Sequence, residues 1–375
     1  MTTEFYRDWL AASVRNAEAV ERSPIVARGA DLTFVETPNE HRIAMLIGEA
    51  VGFPTNGTNL CRVDVPAGAH TGRHRHGEEA IHVLSGEGAI LVGERRYDLR
   101  TGTTVHVPYQ EDHQVWNLGD GDLSYLSAST IDLDLFVRLG RLEQLEEKGE
   151  HRNAAAIAAL PAEDGQIDRL GRRIALHLED APLEAEKHRK SQAAHEAALA
   201  RDGRGPGHGG HEGHGGHDGR EEDGSTAAAS APAPARLIKS THPHRHGAVY
   251  ILMGGGESAS DIRNGFTAVS AAMTQIFEEV PHSSSHCHSH TEAVLYALEG
   301  VGYSEIDGVR YDWAAGDAVQ IPPKMTRHEH FNPSDGRTRT LRIEYGIRYF
   351  YEALWPGYFK VEHREGAVAL PAEPA

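Results

Sequence analysis

Cysteine is almost missing from this chain. Cys61 and Cys287 are the whole complement, so no disulfide framework is available, and the expected setting is a reducing, cytoplasmic compartment with both thiols structural. Long apolar runs are missing as well. No stretch approaches the roughly 18 consecutive apolar residues of a membrane span. The start Met1-Thr2-Thr3-Glu4-Phe5 lacks the basic and apolar regions of a signal peptide, and lipidation motifs are absent, so no membrane partner is expected. Basic residues are outnumbered, 37 Lys and Arg against 55 Asp and Glu, for a net charge of −18 with neutral His. That field repels a phosphate backbone and excludes nucleic acid as the main partner. Against these deficits stand 25 histidines and 40 glycines in 375 residues, and the histidines are clustered.

The periodicity divides the chain. Phe5, Trp9, Leu10, Val14 and Ala17 predict an amphipathic helix over 5–21, packed on the strand region after it. Short β-branched runs broken by Gly, Pro, Asn and Asp then fill residues 41–140, as a sandwich or barrel requires. Residues 1–140 are thus read as helix plus first barrel. Leu142, Leu145, Ile167, Leu170, Ile174 and Leu178 fall at helical spacing, which predicts a helical insert over 141–201. Residues 202–236 lose every apolar run and are read as a disordered His/Gly/Ala/Pro linker, whose His208, His211, His214 and His217 are either a loose metal chelator or a plain spacer. Strand pattern returns over 237–365, leaving a tail over 366–375.

The second strand region repeats the first. His74-Arg75-His76 is followed by Glu78-Glu79 and the turn glycine Gly86; His288-Ser289-His290 is followed by Glu292 and Gly300. Further on come Gly102, Pro108, His113 and Asn117 in one repeat, and Gly316, Pro322, His328 and Asn332 in the other. Residues i and i+2 of a strand share a face. His-x-His therefore puts two imidazoles side by side, and a third His from another strand completes a triad that leaves coordination positions open for substrate and for dioxygen or water. On an uninterrupted strand Glu78 and Glu292 share the register of the His pairs and are the expected acidic members. A bulge would select Glu79 instead. The expected ligands are thus His74, His76, Glu78 and His113, with His288, His290, Glu292 and His328 in the second set.

These residues resemble the two signature motifs of the cupin superfamily, each present twice, so the chain is similar to a bicupin. The departures are Gln110 and Lys324 in place of a motif glycine, a third His one residue late in repeat two, and Ala293 where a motif Glu would stand. The resemblance implies an all-β fold of two jelly-roll barrels with a helical insert and a flexible linker between them. Within the bicupins the chain resembles the gentisate-type ring-cleaving dioxygenases in its length, N-terminal helix and His-Arg-His pair. That implies Fe(II), with Mn, Ni and Zn as alternative metals, and dioxygen insertion into a hydroxylated aromatic acid such as a gentisate- or salicylate-like compound. Arg62, Trp116, Tyr296, Phe331 and Arg342 are the candidate substrate residues, with barrel packing the alternative for each. A manganese bicupin resembling oxalate decarboxylase explains the glutamates better, and a ligand-binding bicupin without catalysis is the third reading. His330, two residues past His328 where repeat one has Val115, is the candidate general acid or base, or else a hydrogen-bonded residue at the rim. Its presence makes the second barrel the expected working one. Pairing of such barrels through their sheets implies a homo-oligomer.

Overall fold

The structure, a computed structural model, describes residues 4–150, 154–163, 166–183, 246–254, 264–285 and 287–354. Nine strands occur in the same order twice. The first set is β1 Arg42–Ile47, β2 Asn59–Val65, β3 Arg73–Arg75, β4 Glu79–Ser85, β5 Glu87–Val92, β6 Arg95–Arg100, β7 Thr104–Val107, β8 His113–Asn117 and β9 Leu123–Ser129. The second is β10 His246–Ile251, β11 Ala271–Glu279, β12 His288–His290, β13 Ala293–Glu299, β14 Val301–Ile306, β15 Val309–Ala314, β16 Ala318–Ile321, β17 Thr326–Asn332 and β18 Thr338–Tyr345. Each set closes into an antiparallel barrel of two facing sheets. One wall of the first barrel runs Ala175–Leu176, β7, β4, β9, β2, β1, and its counterpart runs Val26–Ala27, β16, β13, β18, β11, β10.

Strand alternation explains how the two barrels meet. On β4, Ile81 and Val83 fill the first barrel while Ala80 faces the second, and on β9 Leu123 and Tyr125 point in while Leu126 and Ala128 point across. Met273, Ile276, Val294, Leu341 and Ile343 answer from the other side in one shared apolar core. Both faces of these walls are therefore buried. The segments that precede the barrels are also exchanged: Val26, ahead of the first, pairs opposite Val319 of the second, and Ala175, ahead of the second, opposite Val105 of the first. Asp317 fastens the first exchange by accepting from Arg28 Nη1 at 2.8 Å and from the Gly29 amide at 2.9 Å. An N-terminal segment thus completes the second barrel, which a boundary drawn at residue 140 does not show.

The N-terminal helix is present as α1 Glu4–Arg22, but the expected packing is not. Phe5, Trp9, Leu10 and Val14 are exposed. The helical insert also needs correction. Glu143–Glu146 pairs with β3 and Gly149–Glu150 with the Ala69–His70 strand, so Leu145 belongs to the first barrel's outer wall and Leu142 lies just before that strand. A helix labelled α2, Ile131–Val137, precedes the insert, inside the span assigned to the first barrel. Within 141–201 the short α3 Ala154–Ala159 is the α-helix among the described residues. Residues 184–201, the 202–236 linker and the 366–375 tail lie outside them. A helix not expected from the sequence, α4 Gly346–Leu354, follows β18.

Close packing at equivalent points gives a direct stability test. A Cβ on Gly88 of β5 would lie 2.1 Å from the Trp116 carbonyl oxygen, and one on Gly302 of β14 would lie 2.4 Å from the Trp313 ring. Gly88→Ala and Gly302→Ala should each cost about 1–3 kcal/mol, the usual range for overpacking, read as a lower urea midpoint. Unchanged midpoints would contradict the packing described.

His82 supplies a pH test. It is buried with Nδ1 2.9 Å from Thr104 Oγ1, and burial pushes its pKa from 6.5 down to about 4. Between those values the unfolded chain binds a proton that the native state refuses. Its contribution is therefore complete above pH 6.5 and is lost as pH falls toward 4, up to about 3 kcal/mol in all. His82→Gln should flatten the stability of the metal-free protein over that window. A slope equal to the parent's would count against this.

Candidate metal centre

The chain leaves one wall of the first barrel at His76 and enters the other at Glu79, so the strand assumed to carry His74, His76 and Glu78 is broken. The break decides which carboxylate turns inward. His74, His76, Glu79 and His113 each offer one ligand atom, and these atoms lie within 4.8 Å of one another. Glu79 replaces Glu78 in the expected set. His113 enters from β8 directly opposite His74. Its Nδ1 lies 3.1 Å from the Glu111 carbonyl, which directs Nε2 into the cluster. His74 Nδ1 faces the Gly72 carbonyl at 3.4 Å, and its Nε2 lies 3.3 Å from Asn39 Nδ2. Arg73 and Arg75 point the other way, to Asp112, and Arg75 also to Glu143.

The donors suit a divalent metal. Glu79 Oε2 lies 3.0 Å from His113 Nε2 and 3.5 Å from His76 Nε2. Glu79 Oε2 and His113 Nε2 are nonetheless buried without an aligned hydrogen-bond partner. Orphaned polar atoms converging in an apolar barrel are costly unless something binds them. Burial opposes the Glu79 charge, yet His113 and His76 beside it hold its pKa well below the usual carboxylate range. Burial and the two neighbouring imidazoles push His74 well below 6.5, whereas Glu79 outweighs burial at His113 and raises it. Ser127 Oγ donates to the other oxygen of Glu79. Three imidazoles and one carboxylate match Fe, Mn, Ni or Zn.

Glu78 and Glu292 instead face the opposite barrel. Glu78 Oε2 accepts from the Val269 and Ser270 amides and from Ser270 Oγ, and its Oε1 lies 3.5 Å from His106 Nε2. Glu292 accepts from Thr58 Oγ1 at 2.8 Å and from the Asn56 amide at 3.1 Å. Burial raises Glu292 to about 7. In the second barrel the position of Glu79 is taken by Ala293, and its cross-strand neighbour is Glu344, bound to Arg342, Arg348 and Tyr349. His290 and His328 have ring centroids 4.3 Å apart, each with Nδ1 near a backbone carbonyl. His288 pairs opposite His328 through the backbone, and its side chain lies outside the described residues.

Strand alternation also sorts the other candidates. Trp116 points away from His113, stacks on His70 at 4.4 Å and donates to Gln114 Oε1. Phe331 turns outward onto Tyr303 at 4.6 Å. Arg62 leaves the first barrel for Asp64 and Ser124. Arg62 and Tyr296 line a cleft of about 330 Å³ between the barrels, away from the cluster. Arg342 is different: burial lowers both His328 and His330, and the Arg342 charge adds to it in each case. His330 does enter the second barrel, 5.5 Å from His328 and with Nδ1 2.7 Å from Ser304 Oγ. Burial pushes it to about 4, below the near-neutral value expected of a general acid or base.

The motif residues keep matched roles. Gly86, Gly102, Gly300 and Gly316 all have φ between 83° and 94°, and Gln110, standing for a motif glycine, takes a left-handed φ of 61°. Asn117 donates to the Val65 and Gly121 carbonyls and Asn332 to Glu279 and Gly336, so both asparagines fasten loops.

Residues 61–129 and 275–344 each match the cupin domain family. The uncharacterized protein MJ1618 of Methanocaldococcus jannaschii is 29% identical over 73 residues, 19% of this chain and 58% of that relative's length. In solved structures the fold resembles salicylate 1,2-dioxygenase of Pseudoaminobacter salicylatoxidans, with TM-score 0.51 and 12% identity over 95% of this chain and 84% of that one. An oxalate decarboxylase variant of Bacillus subtilis is also similar, with TM-score 0.45 and 13% identity over 86% of this chain and 77% of that one. Two matched cupin domains, each a closed barrel and joined by one apolar core, make this chain a bicupin.

Proposed function

We propose that the chain is a metal-dependent dioxygenase acting on a hydroxylated aromatic acid, with the chemistry in the first barrel. The convergence of His74, His76, Glu79 and His113 on orphaned buried atoms carries this reading. A bound iron(II) ion would supply redox chemistry with dioxygen and open positions where the substrate's oxygens meet it. The protein's share is orientation and exclusion of water. The Glu111 carbonyl fixes the donor tautomer of His113, and the Glu79 carboxylate offsets one unit of the ion's charge. Val63, Ile81, Val107 and Val115 make the surrounding wall apolar. Burial keeps Cys61, on the same interior face, a neutral thiol with its pKa up at about 12.

The wall also bears on substrate class. Arg348, in the second barrel's half, is the one buried Arg or Lys among the described residues, so the first barrel offers a small dianion no buried protein cation. An aromatic acid can use apolar contact instead. Glu79 is the observation favouring the second reading, a manganese decarboxylase of oxalate, because a carboxylate joins three histidines there.

Protein reconstituted anaerobically with iron(II) should take up oxygen with a gentisate-like, salicylate-like or aminophenol-like compound. Carbon dioxide release from oxalate without uptake on any hydroxylated aromatic acid would transfer the case to the manganese reading. The exposed apolar face of α1 supports a homo-oligomer, and a complement of only two cysteines fits a reducing cytoplasmic setting. Light scattering should give a mass above the 40.9 kDa of one chain; a monomer would refute the pairing.

A further inference from the structure

We propose that Glu78 and Glu292 are positioning residues that make each barrel's ligand corner depend on the other barrel. The inference rests on the metal-centre reading but not on the identity of the substrate. His76 ends one wall and Glu79 begins the next, so two donors from different sheets must meet within tenths of an ångström across one short turn. Nothing in a two-residue turn enforces that by itself. The Gln110 amide holds the His76 carbonyl at 2.8 Å. Gly77 packs so tightly that a Cβ would collide with Asp134 of α2. The remaining residue, Glu78, has its Oε2 gripped from across the interface, by two amides and the hydroxyl of Val269 and Ser270, just before β11, while its Oε1 faces His106 of its own barrel.

The second barrel repeats the device in reverse. Glu292 lies between His290 and β13, as Glu78 lies between His76 and β4, and its grip comes from Asn56 and Thr58, just before β2. Each barrel therefore supplies both a carboxylate and the donors for its partner's carboxylate. Glu78 and Glu292 are buried at 7% and 1% exposure. Burying such charges costs free energy unless they are hydrogen-bonded, and a reciprocal pair specifies where both corners sit. Ser270, in the other barrel's half and outside the first cluster's donor set, thus controls that cluster's geometry through Glu78.

The test uses full-length protein carrying His328→Ala, so that the second barrel does not compete, titrated with manganese(II) while free ion is read by electron paramagnetic resonance. Glu78→Gln and Ser270→Ala should raise the dissociation constant of the first site by about 10- to 100-fold, the range seen when an outer-shell partner of a metal ligand is removed. Thr58→Ala removes a bond of the same kind that serves Glu292 and should leave this constant unchanged. If Glu78→Gln does not fold, Ser270→Ala carries the test. Unchanged affinity with a lower melting temperature of the metal-free variants would overturn the proposal, leaving both residues as interface glue. Equal weakening by Thr58→Ala would overturn it too, because the effect would then be general loosening. A parent that binds no manganese defeats the metal-centre reading, and the positioning role with it.

Discussion

Glu79→Ala should lower metal affinity at the first barrel by more than about 100-fold, exceeding the effect of losing an outer-shell partner, while the protein stays folded. The carboxylate lies beside His76 Nε2 and His113 Nε2, so its removal takes away an anionic donor and the charge that offsets a divalent ion. Its neighbour in sequence makes a demanding control. Glu78→Ala removes the same chemical group one position earlier, yet that group faces Ser270 and His106, so its effect is confined to positioning and is the smaller of the two. Isothermal titration of both variants with manganese(II) decides the matter. A Glu78→Ala defect larger than that of Glu79→Ala would restore the uninterrupted strand and overturn the site described.

The second large effect separates the barrels. His113→Ala should abolish oxygen uptake, by about 10³-fold or more, since the ring both closes the donor set from β8 and adjoins Glu79. His328→Ala should retain most of the parent's turnover per ion bound in the first barrel. The sequence expectation runs the other way, because it gives His330 a proton-transfer role. Burial and the Arg342 charge hold His330 near 4, and Ser304 occupies its Nδ1, so it is a neutral, tethered imidazole at pH 7. Loss of uptake in His328→Ala, with His113→Ala active, would return the chemistry to the second barrel.

The barrels are legible in the sequence because strand alternation and turn glycines are local properties, and the repeat states them twice. His74, His76 and His113 are legible for the same reason. The choice between Glu78 and Glu79 depends on whether the strand continues past His76, and that is settled by a corner between sheets which single-strand periodicity does not encode. Two of the substrate candidates lie away from the metal cluster for one reason. Arg62 and Tyr296 sit on strands buried on both faces, so inward and outward positions look alike in composition. The helical reading of Leu142 and Leu145 fails because residues 143–146 pair with β3, where a non-local partner outweighs propensity. The repeat does carry one clue to the carboxylate. Ala293 stands where Glu79 does, so a glutamate shared by both halves, as Glu78 and Glu292 are, marks something common to the two barrels rather than the ligand found in one.

Anomalous scattering from crystals grown with manganese(II) would show the ion's position and its ligands together. A peak is expected within the first barrel, in contact with His74, His76, His113 and Glu79, with Glu78 still bonded to Ser270. A first barrel without a peak, or a peak coordinated by Glu78, would contradict the metal centre described.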